Sequence, residues 1–195
     1  MQIKELLSAT AMVLTFIAFF PYIRSIRNGN TKPHVFSWII WGAVTLVVFL
    51  AQIAGGAGVG AWPVGVGSLL TIYIALLAYL KKGDITITRL DWWFLTCALS
   101  SLPLWYLTSS PLSAVIILTL VDLAGYGPTI RKVQSRPFEE NLMIFALMGT
   151  RNVIAIMAME NYSLTTVLFP GATAIACFLF VVMVINLRAR LSREV

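Results

Sequence analysis

The stretch PYIRSIRNGNTKPHVFSW, Pro21 to Trp38, closes one of the most apolar runs of the chain with a proline, an arginine and a basic turn. Proline removes a backbone donor and clashes with the carbonyl four residues back, so a helix bends where it sits. Inside a bilayer the carbonyl it frees needs a neighbour, which confines such bends to packed or water-lined faces. Whether Pro21 stands in a membrane helix is decided by its surroundings. The 195 residues are 59% hydrophobic and 11% charged, and mean hydropathy is +0.87, whereas about a quarter of the residues of soluble domains are charged. The composition specifies an all-α integral membrane protein.

Seven apolar runs can be drawn, at residues 6–24, 35–54, 61–80, 92–107, 112–130, 142–159 and 164–187. Most match the ~20 residues that a spanning helix requires, and the fourth is the shortest. No small-residue cleavage site follows the first run, so it is expected to stay as a span rather than leave as a signal peptide. The two cysteines, Cys97 and Cys177, fall inside predicted spans, where they read as packing residues. No metal-ligand spacing is present, and neither a metal nor another cofactor is expected.

Lys and Arg near span ends are retained on the cytoplasmic side. Counting alternate sides of seven spans puts Arg24, Arg27, Lys32, Lys81, Lys82, Arg89, Arg131, Lys132, Arg136, Arg188, Arg190 and Arg193 together, and Lys4 alone opposite. The expected topology has the N-terminus outside and the C-terminus in the cytoplasm, in an inner membrane. The net charge of +6 is thus a topology signal, and nucleic acid is not an expected partner.

Pro21 recurs 107 residues on as Pro128, and the same offset relates Ile23 to Ile130, Arg24 to Arg131, Gly42 to Gly149, Pro63 to Pro170 and Lys81 to Arg188. These residues punctuate a backbone, and they hold register without insertion. The offset predicts an internal repeat of three helices. The fourth helix adds one crossing between the copies, so both face the same way. The expected architecture is two parallel three-helix bundles joined by a linker helix: residues 1–82, then 83–110 with the fourth span, then 111–195 with the tail. Parallel repeats about an axis along the membrane normal occur among transporters.

The segments FFPYIRSIRNGNTKPHVFSWIIWG (19–42) and GYGPTIRKVQSRPFEENLMIFALMG (125–149) resemble the two motif segments of the PQ-loop superfamily, which includes the SWEET sugar facilitators and lysosomal amino-acid exporters. In that family a proline near the cytoplasmic end of the first helix of each bundle precedes a glutamine. Here the prolines match at Pro21 and Pro128, while Tyr22 and Thr129 replace the glutamine. The family's sugar carriers also place an asparagine inside the third helix of each bundle. Neither the third nor the seventh span here has one at mid-depth, which points away from a sugar. The resemblance implies transport of a small solute. Proline physics gives Pro21 and Pro128 two readings, matched hinges on the cytoplasmic half that let the bundles swing, or static kinks. Pro63 and Pro170, by contrast, are expected in the first turn of their helices, where the missing donor costs little.

Polar residues at mid-depth mark the candidate site, because an ionisable side chain in hydrocarbon is costly and faces a cavity or a partner. Asp122 lies about 15 Å into the fifth span at 1.5 Å per residue, and Arg151 and Asn152 reach a similar depth in the sixth. The offset maps Asp122 to Thr15 and Asn152 to Thr45. A central site is therefore expected with Thr15, Thr45 and Thr71 on one wall and Asp122, Arg151 and Asn152 on the other. Arg151 tilts the expected solute toward an anion or zwitterion. Asp122 and Arg151 have two readings, a buried structural pair or groups that bind solute and move protons. Trp38 and Trp41 share a helix face, as interfacial anchors or as the lining of an inner vestibule. His34 is read as a surface residue.

No nucleophile with a base and no paired-carboxylate motif is visible, so an enzyme is not expected. The expected function is a transporter of a small polar solute, working as a monomer or homodimer in the bilayer. Its rival is a non-transporting membrane receptor of the same fold.

Overall fold

The computed structural model describes residues 2–30, 33–83, 85, 87–126, 130, 133–134, 137–139 and 142–192. Within them the seven apolar runs become seven α-helices and no strand: α1 (Gln2–Arg27), α2 (Val35–Ala54), α3 (Trp62–Leu80), α4 (Arg89–Thr108), α5 (Pro111–Ala124), α6 (Leu142–Met157) and α7 (Leu164–Leu191). The protein is all-helical. By length and composition, four segments can cross a membrane: Gln2–Arg27, Val35–Ala54, Gly58–Leu80 and Leu164–Leu191. Helices α5 and α6 are apolar but shorter, and α4, with 20 residues, carries Arg89, Asp91, Ser100 and Ser101.

Local chemistry sets the helix ends. The imidazole of His34 accepts from the Ser37 amide at 3.3 Å and so caps α2, a role the surface reading of this residue did not include. Reciprocal capping boxes open α4 at Thr88 and Asp91 and α7 at Ser163 and Thr166, each satisfying amide donors that a helix start leaves free. Pro63 occupies the first turn of α3 as expected. Pro170 does not: α7 starts at Leu164, which puts this proline in the second turn.

The two expected hinges also part company. Helix α1 runs through Pro21 to Arg27, while α5 ends at Ala124, four residues before Pro128, whose ring would clash with that carbonyl. Pro128 itself lies outside the described residues.

Helix contacts follow a closed order. Helix α3 packs between α1 and α2, α7 packs between α5 and α6, and the sets meet where α1 touches α6 and α2 touches α5. Helix α4 lies outside this ring, against α2 and α5. The repeat-related glycines do the same work in both sets. A Cβ on Gly42 of α2 would come within 2.9 Å of Ile72 on α3, and one on Gly149 of α6 within 3.0 Å of Phe178 on α7. Only glycine allows that approach, and the offset of 107 therefore corresponds to a shared packing rule.

Helix α3 is buried on the lean face formed by Gly67, Thr71, Ala75 and Ala78. The largest core joins α2 to α5 through Ile40, Val44, Val48, Val115 and Leu118. Around the outside, Phe16, Phe20, Leu69, Leu76, Leu179 and Val182 are exposed. Apolar side chains on both core and surface are what a helix bundle in lipid needs.

Candidate functional site

A cavity of about 270 Å³ lies inside the ring, lined by residues of α1, α2, α3, α5, α6 and α7 and by Tyr126 just beyond α5. Its polar wall is made by Thr45, Thr71, Asp122 and Thr173, and its aromatic wall includes Phe19, Trp38, Trp41, Tyr126 and Phe145. A second hollow of about 690 Å³ shares Phe19, Trp38, Trp41, Ile144, Phe145 and Met148 with the first. It adds Ile17, Pro21, Ser25, His34 and Met143, from the C-terminal part of α1 and the N-terminal ends of α2 and α6. The two hollows adjoin through these shared residues, and the second lies toward the end of the bundle that carries Arg24 and Arg27; the pair is termed the funnel, with its mouth at that end.

Pro21 and Ile17 both line that mouth. Ile17 is the residue whose carbonyl Pro21 leaves without its helical donor, so the freed group sits beside a hollow, where a bent membrane helix can tolerate it.

Asp122 is the only carboxylate on the cavity wall among the described residues. One carboxylate oxygen, Oδ2, accepts from Thr173 Oγ1 at 3.4 Å. Trp38 and Trp41 meet edge to face at 5.3 Å between ring centroids, and Tyr22 stacks on Trp38 at 5.1 Å. Both tryptophans line the funnel. Trp62, Trp92 and Trp93, by contrast, are exposed near helix ends, where belt residues belong.

Three of the expected site residues lie elsewhere. Thr15, Arg151 and Asn152 do not line the cavity. They are buried on its outer side, at 0%, 4% and 1% exposure, and form one knot. Arg151 Nε donates to Thr15 Oγ1 at 3.0 Å, Nη1 donates to Asn152 Oδ1 at 2.5 Å, and Nη2 donates to the Pro63 carbonyl at the start of α3. A Cβ on Gly67 would lie 3.1 Å from Nη2, so the glycine makes room for the guanidinium. Arg151 and Asp122 do not bond to one another among the described residues. An arginine with five fixed donors is spent on neutral acceptors, and no Lys, Arg or His lines this cavity among the described residues.

The knot belongs to a larger closure at the end of the bundle opposite Arg24 and Arg27. Lys4 Nζ on α1 donates to the Met159 carbonyl beyond α6 at 2.7 Å, and the Glu160 amide donates to the Ala57 carbonyl at 3.0 Å. Asn161 Nδ2 donates to the Gly55 carbonyl at 2.9 Å. Gln52 Nε2 on α2 donates to the Thr166 carbonyl on α7 at 2.9 Å. Each of these bonds joins a residue of 1–82 to one of 111–195.

The Gln52 bond has a cause in the sequence. Thr166 is four residues before Pro170, so its carbonyl loses its helical donor, and Gln52 replaces it from the other half. Sequence reasoning missed Gln52 and Thr173, since it looked for polar residues at repeat-related depths. A lone glutamine in an apolar span, read together with a proline in the span it faces, would have been the signal. No protein-family model, curated protein or solved structure matches this chain.

Proposed function

We propose that the protein is a membrane transporter that moves a small polar solute by alternating access, through the cavity between two three-helix units. One observation carries the reading: a single cavity lined by all six ring helices, with a funnel at one end and hydrogen-bonded closure at the other. In this reading all seven helices span, as two parallel bundles, α1–α3 and α5–α7, linked by α4. The ring order of contacts and the matched packing of Gly42 and Gly149 support it. Helices α5 and α6 are about 21–24 Å long at 1.5 Å per residue, against a hydrocarbon core of about 30 Å.

The resemblance to the PQ-loop superfamily stays part of this proposal, resting on the two motif segments and the repeat. By the distribution of Lys and Arg, the funnel mouth faces the cytoplasm of a cell whose inner membrane holds the protein, with the N-terminus outside. The structure then corresponds to an inward-facing state. Opening the outer end requires Arg151 to leave Thr15 and Pro63, and Pro21 lets the inner half of α1 swing over the funnel.

Proteoliposomes loaded with a pool of small polar metabolites test the reading. Loss of at least one solute faster than from protein-free vesicles, read by mass spectrometry, is the expected result. Saturable binding of a solute without movement of any would replace the transporter with a receptor of the same fold.

A further inference from the structure

We infer that the solute is a protonated primary amine on an apolar body, held with its ammonium group against Asp122; this rests on the cavity being the solute site proposed above. The polar wall offers acceptors and negative charge. A threonine hydroxyl has one proton and two lone pairs. The proton of Thr45 is given to the Trp41 carbonyl at 2.7 Å, that of Thr71 to the Gly67 carbonyl at 2.7 Å, and that of Thr173 to the Phe169 carbonyl at 2.8 Å. Back-bonding of this kind to the carbonyl four residues earlier commits the donor. Three oxygens with free lone pairs therefore face the cavity beside a carboxylate.

Asp122 itself is under-satisfied. An ionised carboxylate has about four lone-pair sites, and the contact from Thr173, at 3.4 Å, is shared with the shorter bond to Phe169. No Lys, Arg or His lines this cavity among the described residues. The donors on the wall are neutral, namely the indoles of Trp38 and Trp41 and the Tyr126 hydroxyl, which meets Cys177 Sγ at 3.1 Å. An ammonium group supplies what the wall lacks, three N–H donors and a positive charge. The rings of Phe19, Trp41 and Phe145 supply apolar cover and cation–π attraction.

Titration of the purified protein in nanodiscs with four probes that share one phenethyl body tests this: phenethylamine, its N-trimethyl derivative, 2-phenylethanol and 3-phenylpropanoate. Phenethylamine is expected to bind at least about tenfold tighter than the alcohol or the acid, the scale of a hydrogen bond to a charged group. The N-trimethyl cation, without N–H donors, falls between. Asp122→Asn should remove the preference for amine over alcohol, and Thr71→Val, which leaves the carboxylate in place, should weaken the amine alone.

Equal binding of amine and alcohol would overturn the inference, as would tighter binding of the acid or no saturation by phenethylamine at millimolar concentrations. Flux of some other solute that ignores Asp122→Asn would leave transport standing and remove the amine. Asp122-dependent amine binding with no movement across vesicles would do the reverse.

Discussion

Gln52 shows how a single side chain can repair a backbone defect in another helix. Pro170 takes the donor from the Thr166 carbonyl, and an unsatisfied carbonyl in lipid costs several kcal/mol; the Gln52 amide answers it at 2.9 Å. Replacing Gln52 by Leu is expected to destabilise the protein by about 1–3 kcal/mol, the cost of orphaning a buried acceptor. In a Pro170→Ala background the helix supplies its own donor, and the same replacement should cost much less. A double-mutant cycle of thermal unfolding in detergent reads this coupling, and additive losses would separate the two residues. Arg151 makes the second residue-scale case. Gly67→Ala presses on Nη2 from 3.1 Å, so it should weaken the outer knot as Thr15→Val does. Both are expected to raise the reactivity of a cysteine placed at Thr71 toward a membrane-impermeant maleimide added from outside, and unchanged labelling would deny Arg151 its role in closure.

Helix existence was legible at the scale of elements, because runs of about 20 apolar residues leave few alternatives. The helix ends were less so. Helix α5 stops at Ala124 and α7 begins early enough to enclose Pro170. The capping box at Ser163, which sets the start of α7, lies outside any count of hydrophobic residues. The candidate site was half legible. Depth along a helix singled out Thr45, Thr71 and Asp122, which line the cavity, and equally Thr15, Arg151 and Asn152, which do not. Depth alone gives no azimuth, and the azimuth is set by which helix stands next to which. Arg151 turns toward the start of α3 because Gly67 leaves a gap there and the Pro63 carbonyl lies within its reach. Pro21 poses the element-scale test. Pro21→Ala restores the donor for the Ile17 carbonyl, and transport is expected to slow several-fold while folded yield is unchanged; an unaltered rate would reduce Pro21 to a static bend.

The described residues form a ring of six helices with a seventh outside it, and the two ends of the ring are built from different chemistry. The outer end is closed by bonds from Lys4, Gln52, Arg151 and Asn161 across the halves, while the inner end holds the funnel between α1, α2 and α6. In the proposed topology the basic residues give this asymmetry a direction. Single cysteines in place of Lys82 and Asn161 in right-side-out vesicles should label in opposite senses, with Asn161→Cys reactive from outside and Lys82→Cys only after permeabilisation.

Motion between the two ends is the central claim, and paired spin labels measure it directly. One pair replaces Arg27 and Met143 across the funnel mouth, and the other replaces Trp62 and Tyr162 across the outer closure, each in nanodiscs with and without Arg151→Ala. Breaking the knot is predicted to lengthen the outer distance and shorten the inner one by several ångströms, in the same fraction of molecules. Outer and inner distances that both stay fixed, or that lengthen together, would contradict alternating access through this cavity.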